Sequence, residues 1–283
     1  MPTMPFTPLS TFWQTISALS GCVIKPGYML LNIYLLKRLY GQKDPLVRLL
    51  WLGMLLFFLG EAFCAVNYLL YGLTSVSMEL VHELFMVISF VFIGFAVMEY
   101  IDQHVLFASV EGKPCALLRV CKACPKTNTQ EECNLKFLYK LLMLFFLLMA
   151  LFPLFRPILT QAYKYDIFGT IYIKEHLPIY QLLEKRVFPV IGIVAAFITL
   201  GLLSSKSEKA FQLSRWTAAT TLAFIGFGLA RAIIFHAHLD NLILMDFWEE
   251  ATEFAMVAFF VAIVWKYPHI VLEQKAEKAE EPN

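Results

Sequence analysis

Residues 51–71 read WLGMLLFFLGEAFCAVNYLLY, an apolar run with a single charge, Glu61, near its middle. About 20 such residues, at a helical rise of about 1.5 Å each, cross the ~30 Å hydrocarbon core of a bilayer. Working outward, comparable runs lie near 10–38, 46–72, 77–101, 135–155, 184–204, 214–238 and 245–267. The pattern predicts an all-α, polytopic membrane protein with about seven transmembrane helices. The first run is interrupted by Lys25-Pro26-Gly27, where proline removes a helical hydrogen bond and predicts a kink or break.

Composition agrees. Of 283 residues 59% are hydrophobic and 16% charged, with 26 Phe, against about 45–50% and about 25% in soluble domains. The excess apolar surface calls for lipid, so the bilayer is the first expected partner. A net charge of +1 excludes nucleic acid, whose binding requires a concentrated basic face.

Basic residues set orientation. Lys37, Arg38, Lys43 and Arg48, the basic residues between Lys113 and Lys140, and Lys206, Lys209 and Arg215 fall on one side; Arg156, Lys164, Lys174, Lys185 and Arg186 fall on the other. The richer side is cytoplasmic, giving an N-terminus outside and a C-terminus inside, in a plasma or inner membrane. No basic n-region marks a cleavable signal. Leu19-Ser20-Gly21-Cys22 resembles a lipobox, but the apolar run continues past it, and a buried helical cysteine is the plainer reading.

Glu79-Leu80-Val81-His82-Glu83, continuing to Met86-Val87, matches Glu249-Glu250-Ala251-Thr252-Glu253, continuing to Met256-Val257. Each follows a Gly-bearing span, Phe58-Leu59-Gly60 or Phe224-Ile225-Gly226. The expected organisation is a 3+1+3 parallel repeat. A first three-helix repeat covers 1–101, a cytoplasmic four-cysteine loop 102–134, and a linker helix with an outer aromatic cap (Tyr163, Tyr165, Phe168, Tyr172, Tyr180) 135–183. A second three-helix repeat covers 184–267, and a charged tail 268–283. Repeats of this kind often place a site where their halves meet.

Ionisable residues inside spans are costly and by default functional. Glu61 lies roughly 16 Å below the outer end of its helix at 1.5 Å per residue. Glu79, His82 and Glu83 share one helical face through their i, i+3, i+4 spacing. Arg231, His236 and His238 close the sixth helix, and Asp246, Glu249, Glu250 and Glu253 open the seventh. Three readings compete. Glu79-x-x-His82 has the spacing of di-iron and di-manganese bundles, with Glu61, Glu253 and His236 completing the set; Thr252 stands where a second histidine belongs, and Glu249 and Glu253 with a histidine form the alternative set, for zinc or manganese. A proton or cation relay, or a pocket for a polar solute or quinone, suits the same carboxylates. In the structural reading, first-turn acids merely complement the helix dipole and Arg231 pairs with Glu253 or Glu61.

Cys115, Cys121, Cys124 and Cys133 form a C-x5-C-x2-C-x8-C loop. On the cytoplasmic side, four such thiolates suit zinc or an iron–sulfur cluster. Cys22 and Cys64 read as packing residues. Haem between His82 and His236 or His238 is disfavoured, because the histidines are few and near one surface. No Walker A loop, dinucleotide fingerprint or nucleophile elbow is present. The first functional expectation is a redox-linked subunit of a larger complex, with an outer Glu/His site and a cysteine-bound metal. The alternatives are a cation or polar-solute transporter with a structural zinc loop, and a non-catalytic scaffold.

Overall fold

The computed structural model describes residues 10–71, 75–106, 134–159, 161–167, 170–176, 178–205, 207–237 and 242–266. Its helices are α1 (Thr11–Leu19), α2 (Lys25–Leu39), α3 (Pro45–Tyr71), α4 (Val76–Ile101), α5 (Asn134–Phe155), α6 (Pro178–Leu182), α7 (Phe188–Ser204), α8 (Glu208–Ala237) and α9 (Leu242–Lys266). Among the described residues, six helical segments are long and apolar enough to cross a membrane: Thr11–Leu39, Pro45–Tyr71, Val76–Leu106, Leu135–Phe155, Pro178–Ser204 and Lys209–Ile234. The seventh expected span is helical as α9, but Glu249, Glu250 and Glu253 make it too acidic to count by composition.

One departure from a purely helical fold lies in the expected aromatic cap. Gln161–Ile167 (β1) and Thr170–His176 (β2) pair antiparallel, with Tyr165 opposite Tyr172. Tyr163, Tyr165, Ile171, Tyr172 and Ile173 are aromatic or β-branched, types that favour extended backbone. The four-cysteine loop and the charged tail lie outside the described residues.

Two prolines shape the long helices. A proline ring collides with the carbonyl four residues earlier, and widening the preceding turn relieves the collision. Before Pro26 the chain forms a π-turn over Ser20–Ile24, with the Lys25 N–H donating to Ser20 O. Before Pro189 it forms another over Leu183–Val187, with the Phe188 N–H donating to Leu183 O. The break expected at Lys25-Pro26-Gly27 is thus a π-turn inside one continuous helix. A third π-turn, Asp102–Leu106, extends α4.

The chain divides into two compact units. The first comprises 1–89, 157–181 and 233–283, the second 90–156 and 182–232. In the first, α2 packs on α3 and α9. Gly41, at φ 74°, ends the turn after α2, and Asp44 caps α3 by accepting from the Leu46 N–H at 2.7 Å. The Asn32 amide donates to Met54 O at 3.1 Å, tying α2 to α3. At Gly60 a Cβ would lie 3.2 Å from Phe85 Cβ, so glycine sets how closely α4 approaches.

In the second unit α5 packs on α7. Along α7 the buried positions include Gly192, Ala195, Ala196 and Thr199, whereas Val190, Val194, Phe197 and Ile198 face outward. Small residues inside and large apolar ones outside invert the soluble pattern and match helices packing in lipid. Thr199 Oγ1 donates to Thr217 Oγ1 at 2.7 Å, joining α7 to α8. At Gly228 a Cβ would fall 2.5 Å from the Glu184 carbonyl oxygen and 2.9 Å from Pro189 Cγ. Gly228→Ala is therefore expected to lower the thermal midpoint in detergent by the equivalent of about 1–3 kcal/mol. Gly94→Ala, which meets nothing within 4 Å, should leave it unchanged or raised.

Candidate functional site

The site lies in the first unit and is built from three elements: α2, α3 and α9. The π-turn ahead of Pro26 delivers Lys25 and, three residues on, Tyr28. Glu61 and Cys64 come from one turn of α3, and Glu250 and Glu253 from one turn of α9. The i, i+3 spacing is the same in all three helices, which puts each pair on one face.

Lys25 Nζ lies 2.6 Å from Glu61 Oε2 and 2.8 Å from Glu250 Oε1, with Cys64 Sγ at 3.4 Å. An ammonium has three protons to donate, and these three acceptors take them. The Tyr28 hydroxyl, wholly buried, is the centre of the other half of the site. It lies 2.5 Å from Glu61 Oε2, 2.8 Å from Glu250 Oε2 and 2.8 Å from Glu253 Oε2. The phenol ring rests against Phe57.

Those three distances constrain protonation. A phenol has one proton, and an ionised carboxylate only accepts. Three hydrogen-bond-length contacts at one hydroxyl therefore need two further protons, carried by carboxyls. Glu61 Oε2, which also receives Lys25, is the natural ionised partner, leaving the protons on Glu250 and Glu253. One ammonium against one carboxylate then gives a neutral site, as a low-dielectric interior demands. Glu61 Oε1 is buried and accepts no hydrogen bond; its neighbour is His82 Nδ1 at 3.7 Å. His82, 3% exposed, hydrogen-bonds through Nδ1 to Gly60 O at 2.9 Å.

Of the ligands anticipated from sequence, Glu61 and Glu253 come together, and Glu250, expected only as a first-turn acid, joins them, each offering an oxygen within 4.8 Å of the others, a grouping that could hold a metal ion. His82 borders them, and Glu83 is buried beside it on α4. Glu79 lies apart, accepting from the Asn67 amide at 3.3 Å. Glu249 is half-buried and outside the trio, and His236 is exposed at the end of α8. Cys115, Cys121, Cys124, Cys133 and His238 lie outside the described residues.

Arg231 pairs with Glu184 at 3.2 Å, not with Glu61 or Glu253; the two residues face each other across adjoining turns of neighbouring helices. Cys22 is exposed rather than buried. Lys25, Tyr28 and Cys64 were missed. A lysine inside an otherwise apolar run was the available signal for Lys25; Tyr28 and Cys64 gave none. A second buried ion group was also missed: Arg215 Nη1 lies 2.6 Å from Glu99 Oε1, and Nη2 lies 2.7 Å from Asp102 Oδ2. It fixes the start of α8 to the end of α4 within the second unit.

Compared with known proteins, the chain matches no family model, no curated protein and no solved structure. Fold and site together define a helical protein of membrane type with a buried acidic cluster able to hold a metal ion. Tyr28→Phe strips three carboxyl oxygens of their shared partner. It should destabilise the protein by about 1–3 kcal/mol in thermal unfolding, while Tyr34→Phe, at an exposed position, should change little.

Proposed function

We propose that the chain is an integral membrane protein that exchanges protons for a hard divalent cation at Glu61, Glu250 and Glu253. In this reading Lys25 serves as a built-in counter-charge. The observation that carries it is the Tyr28 hydroxyl within 2.8 Å of three carboxyl oxygens, an arrangement that requires two exchangeable protons. One divalent cation carries the same charge as those two protons. Trading one for the other keeps the buried site neutral, so neither state strands a net charge in hydrocarbon.

The donor set supports a hard ion. Carboxylate and phenol oxygens suit manganese, magnesium or calcium, whereas zinc and iron sites draw on imidazole or thiolate. His82 is engaged with Gly60 O, and Cys64 faces Lys25. An ammonium 2.6–2.8 Å from two of the prospective ligands repels a resident cation. That favours reversible loading over permanent cofactor storage, and so a transporter over a redox centre. A quinone or iron site coupled to an iron–sulfur loop has no geometric support of its own among the described residues.

The same reading makes α9 the seventh span. Two of its acids, Glu250 and Glu253, are answered internally by Lys25 and Tyr28, so composition understates how well it tolerates the bilayer. The basic-residue bias then puts the N-terminus outside and the four-cysteine loop in the cytoplasm, where a structural zinc is the assignment that goes with transport.

In proteoliposomes, manganese uptake should release about two protons per ion and strengthen as pH rises, because those protons must leave first. Glu61→Gln and Glu253→Gln should each reduce uptake about tenfold or more. Manganese binding without proton release, or uptake indifferent to both substitutions, would overturn the proposal. Stoichiometric iron with visible absorbance in purified protein would replace it with the redox reading.

A further inference from the structure

We infer that Pro26 is the positioning residue for Lys25, and that the second half of the chain holds an apolar copy of the same scaffold, with Phe188 and Phe227 in the places of Lys25 and Glu61. Three observations lead there.

The first is the shared register of the two proline-linked π-turns. Each covers five residues, is followed by one residue and then by proline: Ser20–Ile24, Lys25, Pro26 in one case and Leu183–Val187, Phe188, Pro189 in the other. In both, the residue before proline sends its N–H back five residues. The proline alone thus makes Lys25 and Phe188 counterparts.

The second comes from different helices. Phe58-Leu59-Gly60 in α3 and Phe224-Ile225-Gly226 in α8 are matched by sequence, and the next residue is Glu61 in one and Phe227 in the other. This correspondence owes nothing to the prolines.

The third is that the two correspondences predict each other's contacts. Lys25 touches Glu61 at 2.6 Å. Phe188 packs edge-on against Phe227, ring centroids 5.6 Å apart, and against Phe224 one turn earlier at 5.5 Å. Counterparts chosen from two unrelated landmarks are in contact in both halves.

The chemistry has diverged between the copies. One contact is an ion pair joined to two more carboxyls, the other an aromatic pair. The second half keeps an ion pair, but one turn away on both helices and with reversed polarity, Glu184 with Arg231 at 3.2 Å. Their counterparts in the first half are Gly21 and Ala65. Among the described residues, the grouping of three carboxylates able to hold a metal ion is the one in the first unit.

A π-turn holds one residue more than the α-turn it replaces, so it sets the phase of everything after it, by about 100° at 3.6 residues per turn. Without the Pro26 ring the Lys25 N–H is free to return to its α partner, and the lysine side chain rotates away from Glu61 and Cys64.

Two experiments test this, and neither depends on cation exchange. Cys64 alkylation is followed in the intact protein by mass spectrometry, using the Lys25 contact at 3.4 Å as reporter. Pro26→Ala and Lys25→Met should shift the Cys64 rate in the same direction, by about threefold or more, and Pro189→Ala should not. A Pro26→Ala rate equal to wild type alongside a changed Lys25→Met rate would refute the positioning role. In the second experiment an ion pair is grafted onto the apolar copy. Phe188→Lys with Phe227→Glu should recover folded protein that either single change loses. Phe90→Lys with Phe227→Glu, at a contact of 6.5 Å that is not the counterpart, should not recover it. Equal behaviour of the two double variants overturns the equivalence.

Discussion

The first unit depends on one constraint: a lysine, a tyrosine and three glutamates have to be neutral together inside an apolar helical pack. An isolated ionised side chain in such surroundings is costly. Here Lys25 gives its three protons to Glu61, Glu250 and Cys64, and Tyr28 gathers Glu61, Glu250 and Glu253 around one oxygen. Each group is tolerable only because the others are present. The network also fixes α2, α3 and α9 against one another more specifically than apolar side chains alone would, since Leu and Phe pack about as well against lipid as against a neighbouring helix.

The same economy recurs in the second unit in simpler form. Arg215 answers Glu99 and Asp102, and Arg231 answers Glu184. Around these pairs the helices meet through glycine, alanine and threonine, and turn their large apolar side chains outward. Close approach at Gly192 and Gly228 supplies the dispersion contacts that burial in water would otherwise reinforce.

Prolines at 26 and 189 set the phase of their helices rather than breaking them. Each ring displaces one carbonyl, and the π-turn that accommodates it rotates the following residues relative to those before. Phase decides which side chain faces the neighbouring helix, so a backbone adjustment of one residue determines whether a charge meets its partner. That is why a lysine is tolerated in the middle of a span.

Much of this protein was legible in the sequence alone. The apolar runs located the long helices among the described residues, because span length follows from bilayer thickness and needs no knowledge of neighbours. Glu61 and Glu253 stood out for the same reason, as charges inside spans, whereas Glu250 read as a first-turn acid complementing the helix dipole. What the sequence left open was which of many acids and histidines meet. Glu79, Glu249 and His236 look as eligible as Glu61 on a helical wheel, yet they face elsewhere. Tyr28 and Cys64 are ordinary residues of an apolar helix until tertiary packing turns Tyr28 towards the three glutamates and Cys64 towards Lys25. Arg231 is as eligible by sequence for Glu253 or Glu61, yet it pairs with Glu184. Periodicity along one chain specifies a face, but only the packing and phase of several helices specify what that face touches.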